Sequence, residues 1–264
     1  MELFLLSVVF IFALIFGSFL NCLIWRLKSN ESVWGRSYCP KCRKQISWYD
    51  NIPLFSFAFL KGKCRNCKKK ISWQYPLVEF FFALIILFLF VSLEPSLNLF
   101  KILSYDFLNL FLRDFIFIFI LAVIFVYDFN WQEVPMLILW PGIAIMIFFS
   151  WFFGVNIFTI LIATALSASF FLAQFLLTKG RGIGEGDIWI GALIGARLIS
   201  LGDISLAIFS SYMIGASVAI FLLIRGKKKI KSKLPLGPFL VLGTLISLFF
   251  SEAILNWYFS LVIF

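Results

Sequence analysis

Between Val134 and Thr178 the chain runs for 45 residues without one charged side chain. About 20 apolar residues make a helix as long as a bilayer's hydrocarbon core is thick, so this stretch is written for a membrane and must cross it twice. The break falls at Gly154–Asn156, where turn-forming residues interrupt the apolar run. Applying the same length criterion along the chain predicts eight spans, at 3–25, 77–93, 107–127, 134–153, 156–178, 187–201, 204–224 and 236–262. With 62% hydrophobic residues, 20% aromatics and a mean hydropathy of +1.01, no soluble class competes. The first run is too long for a signal-peptide core and lacks a small-residue cleavage site, so it is expected to stay as a span. The fold class is therefore an all-α polytopic membrane protein. No internal repeat and no low-complexity tract is expected.

The net charge of +10 is concentrated in one place. Residues 26–76 carry 12 Lys and Arg against Glu31 and Asp50, and the rest of the chain is balanced. A second basic cluster joins Arg225, Lys227, Lys228, Lys229, Lys231 and Lys233. Excess Lys and Arg stay on the cytoplasmic side, which places both loops there, together with the short loops at 128–133 and 179–186. Eight crossings then leave both termini outside. The same charges attract anionic lipid headgroups, and membrane sorting explains them without a nucleic-acid partner.

Four of the five cysteines lie in the first basic loop, as Cys39-Pro-Lys-Cys42 and Cys64-Arg-Asn-Cys67. Cys22, inside the first span, is expected to pack. Two CxxC turns complete a tetrahedral sulfur shell for zinc, and the reducing cytoplasm argues against disulfides. Four protein ligands leave no open position for water, so the metal is expected to be structural, stapling a loop with little apolar core.

The chain contains no histidine. Ser-His-Asp triads, Cys-His dyads and HExxH zinc sites are thereby excluded. Two carboxylates instead sit where apolar spans meet the cytoplasmic face: Asp128, and Asp187 after the glycine-rich stretch containing Gly184 and Gly186. Each alone has a simpler reading, Asp187 as a helix cap and Asp128 as an interfacial loop residue. Together they could share one proton, with one member activating water while the other polarises a carbonyl. The glycines would let a substrate strand approach the backbone closely.

Gly17-Ser18-Phe19-Leu20-Asn21, the two CxxC pairs, Asp50-Asn51-Ile52-Pro53-Leu54, Ile71-Ser72-Trp73-Gln74-Tyr75-Pro76-Leu77-Val78-Glu79, Gly184-Glu185-Gly186-Asp187 and Pro235-Leu236-Gly237-Pro238-Phe239 occur in that order. The set resembles the bacterial type IV prepilin peptidases over nearly the whole chain. The resemblance implies a GxGD-type aspartic protease of the bacterial inner membrane that cuts the leader of prepilins or pseudopilins after a glycine. It also implies methylation of the exposed amine, commonly that of a phenylalanine, with S-adenosylmethionine. Asp128 and Asp187 match the family's catalytic pair, and Cys39, Cys42, Cys64 and Cys67 its zinc-type cysteines. Residues 1–93, including the loop 26–76, match the methyltransferase part, which leaves 94–264 as a six-span peptidase domain.

Glu79, with Asn51 and Arg26, is the expected cofactor or amine site. Glu79 could equally pair with a basic residue of the loop. This chain departs from many relatives at Trp189, where they have Lys, at Met136, where they have an acid or Asn, and at Glu185, an extra acid beside the second aspartate. Three other readings compete. An aspartate-dependent transporter would bury its acids mid-span. A non-catalytic zinc-bearing scaffold would not need an aspartate pair. A presenilin-like protease would cut within a span and explains neither the cysteines nor a site at the membrane border.

Overall fold

The structure, a computed structural model, describes residues 2–225 and 234–262. Most of the second basic cluster, Lys227 to Lys233, and the terminal Phe264 lie outside them. The helices in chain order are α1 Glu2–Lys28, α2 Phe55–Phe59, α3 Gln74–Leu93, α4 Leu99–Ile102, α5 Tyr105–Trp131, α6 Met136–Phe152, α7 Ile157–Thr178, α8 Glu185–Leu198, α9 Leu201–Ile224 and α10 Gly237–Val262. Between the described residues of α1 and α3 there are only a 3-10 turn, the short α2 and two isolated β-bridges.

Six of these helices, α1, α3, α5, α7, α9 and α10, are long and apolar enough to cross a membrane. The remaining two expected spans form helices at their expected places, but shorter ones. α6 has 17 residues and α8 has 14, about 25 Å and 21 Å at 1.5 Å per residue. The reason for α8 is legible in its burial. Asp187 and every residue from Ile190 to Leu198 except Arg197 is buried, so it is matched to neighbouring helices rather than to lipid. Where α8 meets α7 the backbones touch: a Cβ on Gly195 would come 2.8 Å from the Thr164 Cα.

The chain divides into two compact units, Met1–Ile118 and Phe119–Phe264. In the first, α1 packs along α3, and Phe12, Phe16 and Phe82 place their rings 4.9 to 5.9 Å from that of Phe115. Phe90, Phe107 and Ile102 form a second cluster. In the second unit α9 packs on α10 and α8 is flanked by α6 and α7. Thr244 donates to Leu240 O within its own helix and Ser150 to Ala196 O across to α8, which satisfies these hydroxyls where water is excluded.

Candidate active site

Asp128 lies in the last turn of α5, which continues past the expected span end at Tyr127 to Trp131. Asp187 occupies the third position of α8. Both are buried, at 6% and 8% exposure, and they belong to the same unit. Each is held by a glycine N–H. Gly237, at the start of α10, donates to Asp128 Oδ2 at 2.9 Å, across 109 residues of sequence. Gly184 donates to Asp187 Oδ2 at 2.9 Å, so the carboxylate reaches back and caps the helix that carries it. The cap reading of Asp187 is therefore correct. The two carboxylates also lie within electrostatic reach of one another. A carboxylate at a helix N-terminus also faces the positive end of the helix dipole.

Close backbone approach is what the glycines provide. A Cβ on Gly237 would stand 2.5 Å from Asp128 Oδ2, and one on Gly186 would stand 2.8 Å from Val134 Cβ. Gly237 was missed as a site residue. Its signal was available in Pro235-Leu236-Gly237-Pro238-Phe239, a glycine between two prolines at a span entry. The extra acid Glu185 is exposed, unlike Asp187. Trp189 packs its ring 5.5 Å from that of Trp140, and Met136 opens α6.

The four loop cysteines converge, with all Sγ atoms within 4.8 Å of one another and Cys39 Sγ 4.0 Å from Cys67 Sγ. Zinc–sulfur bonds of about 2.3 Å in a tetrahedron require sulfurs about 3.8 Å apart, so the donor set fits a closed thiolate site. The two halves are built alike. Cys39 N–H donates to Lys44 O and Cys64 N–H to Lys69 O, each at 2.9 Å. Ile46 N–H donates to Ser37 O at 2.8 Å and Ile71 N–H to Gly62 O at 2.7 Å. Arg43 and Lys68, just after each pair, take φ values of 59° and 57°. Contrary to the expectation of no repeat, Cys39–Trp48 and Cys64–Trp73 are two copies of one knuckle, sharing Cys-x-x-Cys, two residues that are Arg or Lys, and Ile-Ser-Trp.

Glu79 is buried on α3 and accepts the Leu54 N–H at 2.9 Å and the Ser18 hydroxyl. Neither partner is a base, which disfavours the pairing with a loop Lys or Arg. Arg26 is 4% exposed and spends its guanidinium on loop carbonyls, Ser32, Val33, Gly35 and Arg36. Asn51 sits in the 3-10 turn Trp48–Asn51 and is exposed.

Residues 11–93 match the family model described as Bacterial Peptidase A24 N-terminal domain. A prepilin leader peptidase/N-methyltransferase of Bacillus subtilis (strain 168) is 29% identical over 267 residues, covering 98% of this chain and 100% of that protein. Proteins of the same description from Legionella pneumophila and Aeromonas salmonicida (strain A449) are 28% and 27% identical, each over 97% of this chain and 94% of their own length. This chain is similar to the prepilin leader peptidase/N-methyltransferases over nearly its whole length. No solved structure matches it. The matched segment contains both cysteine knuckles, Arg26, Asn51 and Glu79, whereas Asp128 and Asp187 lie beyond it. The two polar centres of this chain thus lie each inside its own compact unit.

Proposed function

We propose that this chain is an aspartic endopeptidase of the bacterial inner membrane. It cleaves the leader of type IV prepilins or pseudopilins after a glycine and methylates the amine so exposed. What supports the reading is that Asp128 and Asp187 are both buried and each bonded by a glycine N–H, in the same unit and within electrostatic reach, in a chain without histidine. Close carboxylates hold one proton between them. The ionised member takes a proton from water as the water oxygen bonds to the peptide carbonyl carbon, and the protonated member donates to the carbonyl oxygen. Collapse of the tetrahedral carbon then breaks the C–N bond, and the leaving amine takes a proton from the pair.

Zinc, held by Cys39, Cys42, Cys64 and Cys67, staples the loop between α1 and α3 and takes no part in bond breaking. Methyl transfer is assigned to residues 1–93 and cleavage to 94–264. S-adenosylmethionine, when bound, supplies an electrophilic methyl group. Glu79 is the carboxylate of that site, Arg26 clamps the loop over it and Asn51 lies at the loop surface. The loop, the aspartate pair and the basic clusters face the cytoplasm, with both termini outside, and the loop's Lys and Arg rest against anionic headgroups.

Purified protein incubated with a prepilin and S-adenosylmethionine should give a product lighter by the leader and heavier by one methyl group. A prepilin recovered at full mass contradicts the reading.

A further inference from the structure

Among the described residues only three buried side-chain polar atoms lack a hydrogen-bond partner: Asn21 Oδ1, Trp25 Nε1 and Ser167 Oγ. Two of the three stand one turn apart on α1, at i and i+4, which places their side chains on the same face. A buried donor or acceptor left unpaired is costly, and two in one place suggest a guest that pairs both. Their orientation is fixed. Asn21 Nδ2 donates to Tyr75 O at 3.1 Å and to Gly17 O at 3.4 Å, and carbonyls only accept, so the amide oxygen has to face the other way.

The surroundings define the guest's chemistry. Asn21 is 3% exposed and Glu79 7%. Their helices touch here: a Cβ on Gly17 would lie 2.9 Å from Glu79 Cα, and Ser18, one turn before Asn21, bonds the Glu79 carboxylate. An unpaired acceptor near a buried carboxylate suits a cation that donates N–H bonds. The unpaired indole N–H of Trp25 suits an acceptor on the same guest. The guest is then an amine with an oxygen acceptor a few bonds away. A neutral acceptor fits here, because four of the five N–H donors of the adjacent Arg26 are already given to loop carbonyls.

We infer that this polar cluster on α1 and α3 holds the first residue of the cut peptide. Asn21 Oδ1 and Glu79 accept N–H bonds from its α-ammonium, and Trp25 Nε1 donates to its carbonyl oxygen. The inference rests on the methyl-transfer reading and gives that site its acceptor subsite. A proton passes from the ammonium to the Glu79 carboxylate, leaving a neutral amine. Its lone pair would bond the methyl carbon as the bond from that carbon to the donor's sulfonium sulfur broke, its electron pair staying on a neutral thioether and the product leaving as a methylammonium. Asn21 and Trp25 position that amine.

The test uses the full chain in detergent and no methyl donor. Binding is compared for a peptide that begins at the cleavage point and for the same peptide N-acetylated. Wild type should prefer the free amine at least tenfold, the size expected of hydrogen bonds to a charged group. Asn21→Leu should lower the ratio severalfold while leaving affinity for S-adenosylmethionine within about twofold of wild type. A wild-type ratio near one, or an unchanged ratio in Asn21→Leu, overturns the site. So does a loss of S-adenosylmethionine affinity with the ratio intact, which would assign the cluster to the cofactor's own amine. If Asn21→Leu unfolds, Trp25→Phe keeps the ring and removes only the donor. It should weaken the free-amine peptide severalfold, and unchanged affinity overturns the site. Wild type that shows the preference yet adds no methyl group upholds the subsite and overturns the methyl-transfer reading.

Discussion

The backbone N–H of Gly237 donates to Asp128 Oδ2 at 2.9 Å, and a methyl group on Gly237 would stand 2.5 Å from the same oxygen. The start of α10 is thus fitted against the carboxylate, with room for a hydrogen and nothing larger. Gly237→Ala should displace Asp128 and lower the cleavage rate about a hundredfold, the usual effect of misplacing a reacting group by an ångström. Thermal unfolding should change little. The check is single-turnover cleavage of a prepilin peptide beside a melting curve.

Gly186 bears on the other carboxylate. Gly186→Ala would press its methyl against Val134 and push α8, with Asp187, out of place. Cleavage should drop, and adding Val134→Ala should restore most of it, because the second change removes the atoms that clash. Equal loss in the single and double variants would place the defect elsewhere.

The cysteine knuckles are equivalent in structure, so they should be equivalent in metal binding. Elemental analysis should find one zinc per chain, and Cys39→Ser with Cys42→Ser should abolish it as fully as Cys64→Ser with Cys67→Ser. Either pair should open residues 26–76 to protease digestion. Full zinc retention in either variant contradicts the site.

Asp50 and Arg65 tie the second knuckle to the turn before α2 through two bonds of 2.6 and 2.7 Å. The Arg65 guanidinium holds the Asp50 carboxyl below its ordinary value of 3.8. A depressed carboxylate stabilises the fold above its unfolded pKa, and that contribution is lost as pH falls through the folded value. The loop should therefore loosen only under acid conditions, below about pH 4, and Asp50→Asn should abolish this acid-dependent component. Limited proteolysis across a pH series is the measurement.

The sequence carried the helices well because apolar length is a one-dimensional property. All eight expected spans became helices near their expected places. What it could not carry was which of them lipid surrounds. α8 is short because Ile190, Leu193 and Ile194 face protein, and burial by neighbouring helices leaves no mark that differs from burial by lipid. The aspartates were legible from their position at span ends. Their clamps were not, since Gly237 reaches Asp128 by a main-chain N–H across 109 residues, and backbone donors have no residue signature. The knuckle repeat was legible, because Ile46-Ser47-Trp48 and Ile71-Ser72-Trp73 repeat letter for letter. Arg26 reads as a binding residue in sequence, and only its four carbonyl partners identify it as a clamp.

The central claim is that Asp128 and Asp187 cut the peptide while methyl transfer proceeds elsewhere in the chain. Asp187→Asn keeps the shape and removes the ionisable group, so the pair can no longer share and pass a proton. Single-turnover cleavage and methylation of a pre-cut peptide, measured on the same Asp187→Asn preparation, test the claim most directly. The account predicts cleavage lower by orders of magnitude and methylation at the wild-type rate. Cleavage near the wild-type rate, or methylation lost in a folded protein, would contradict it.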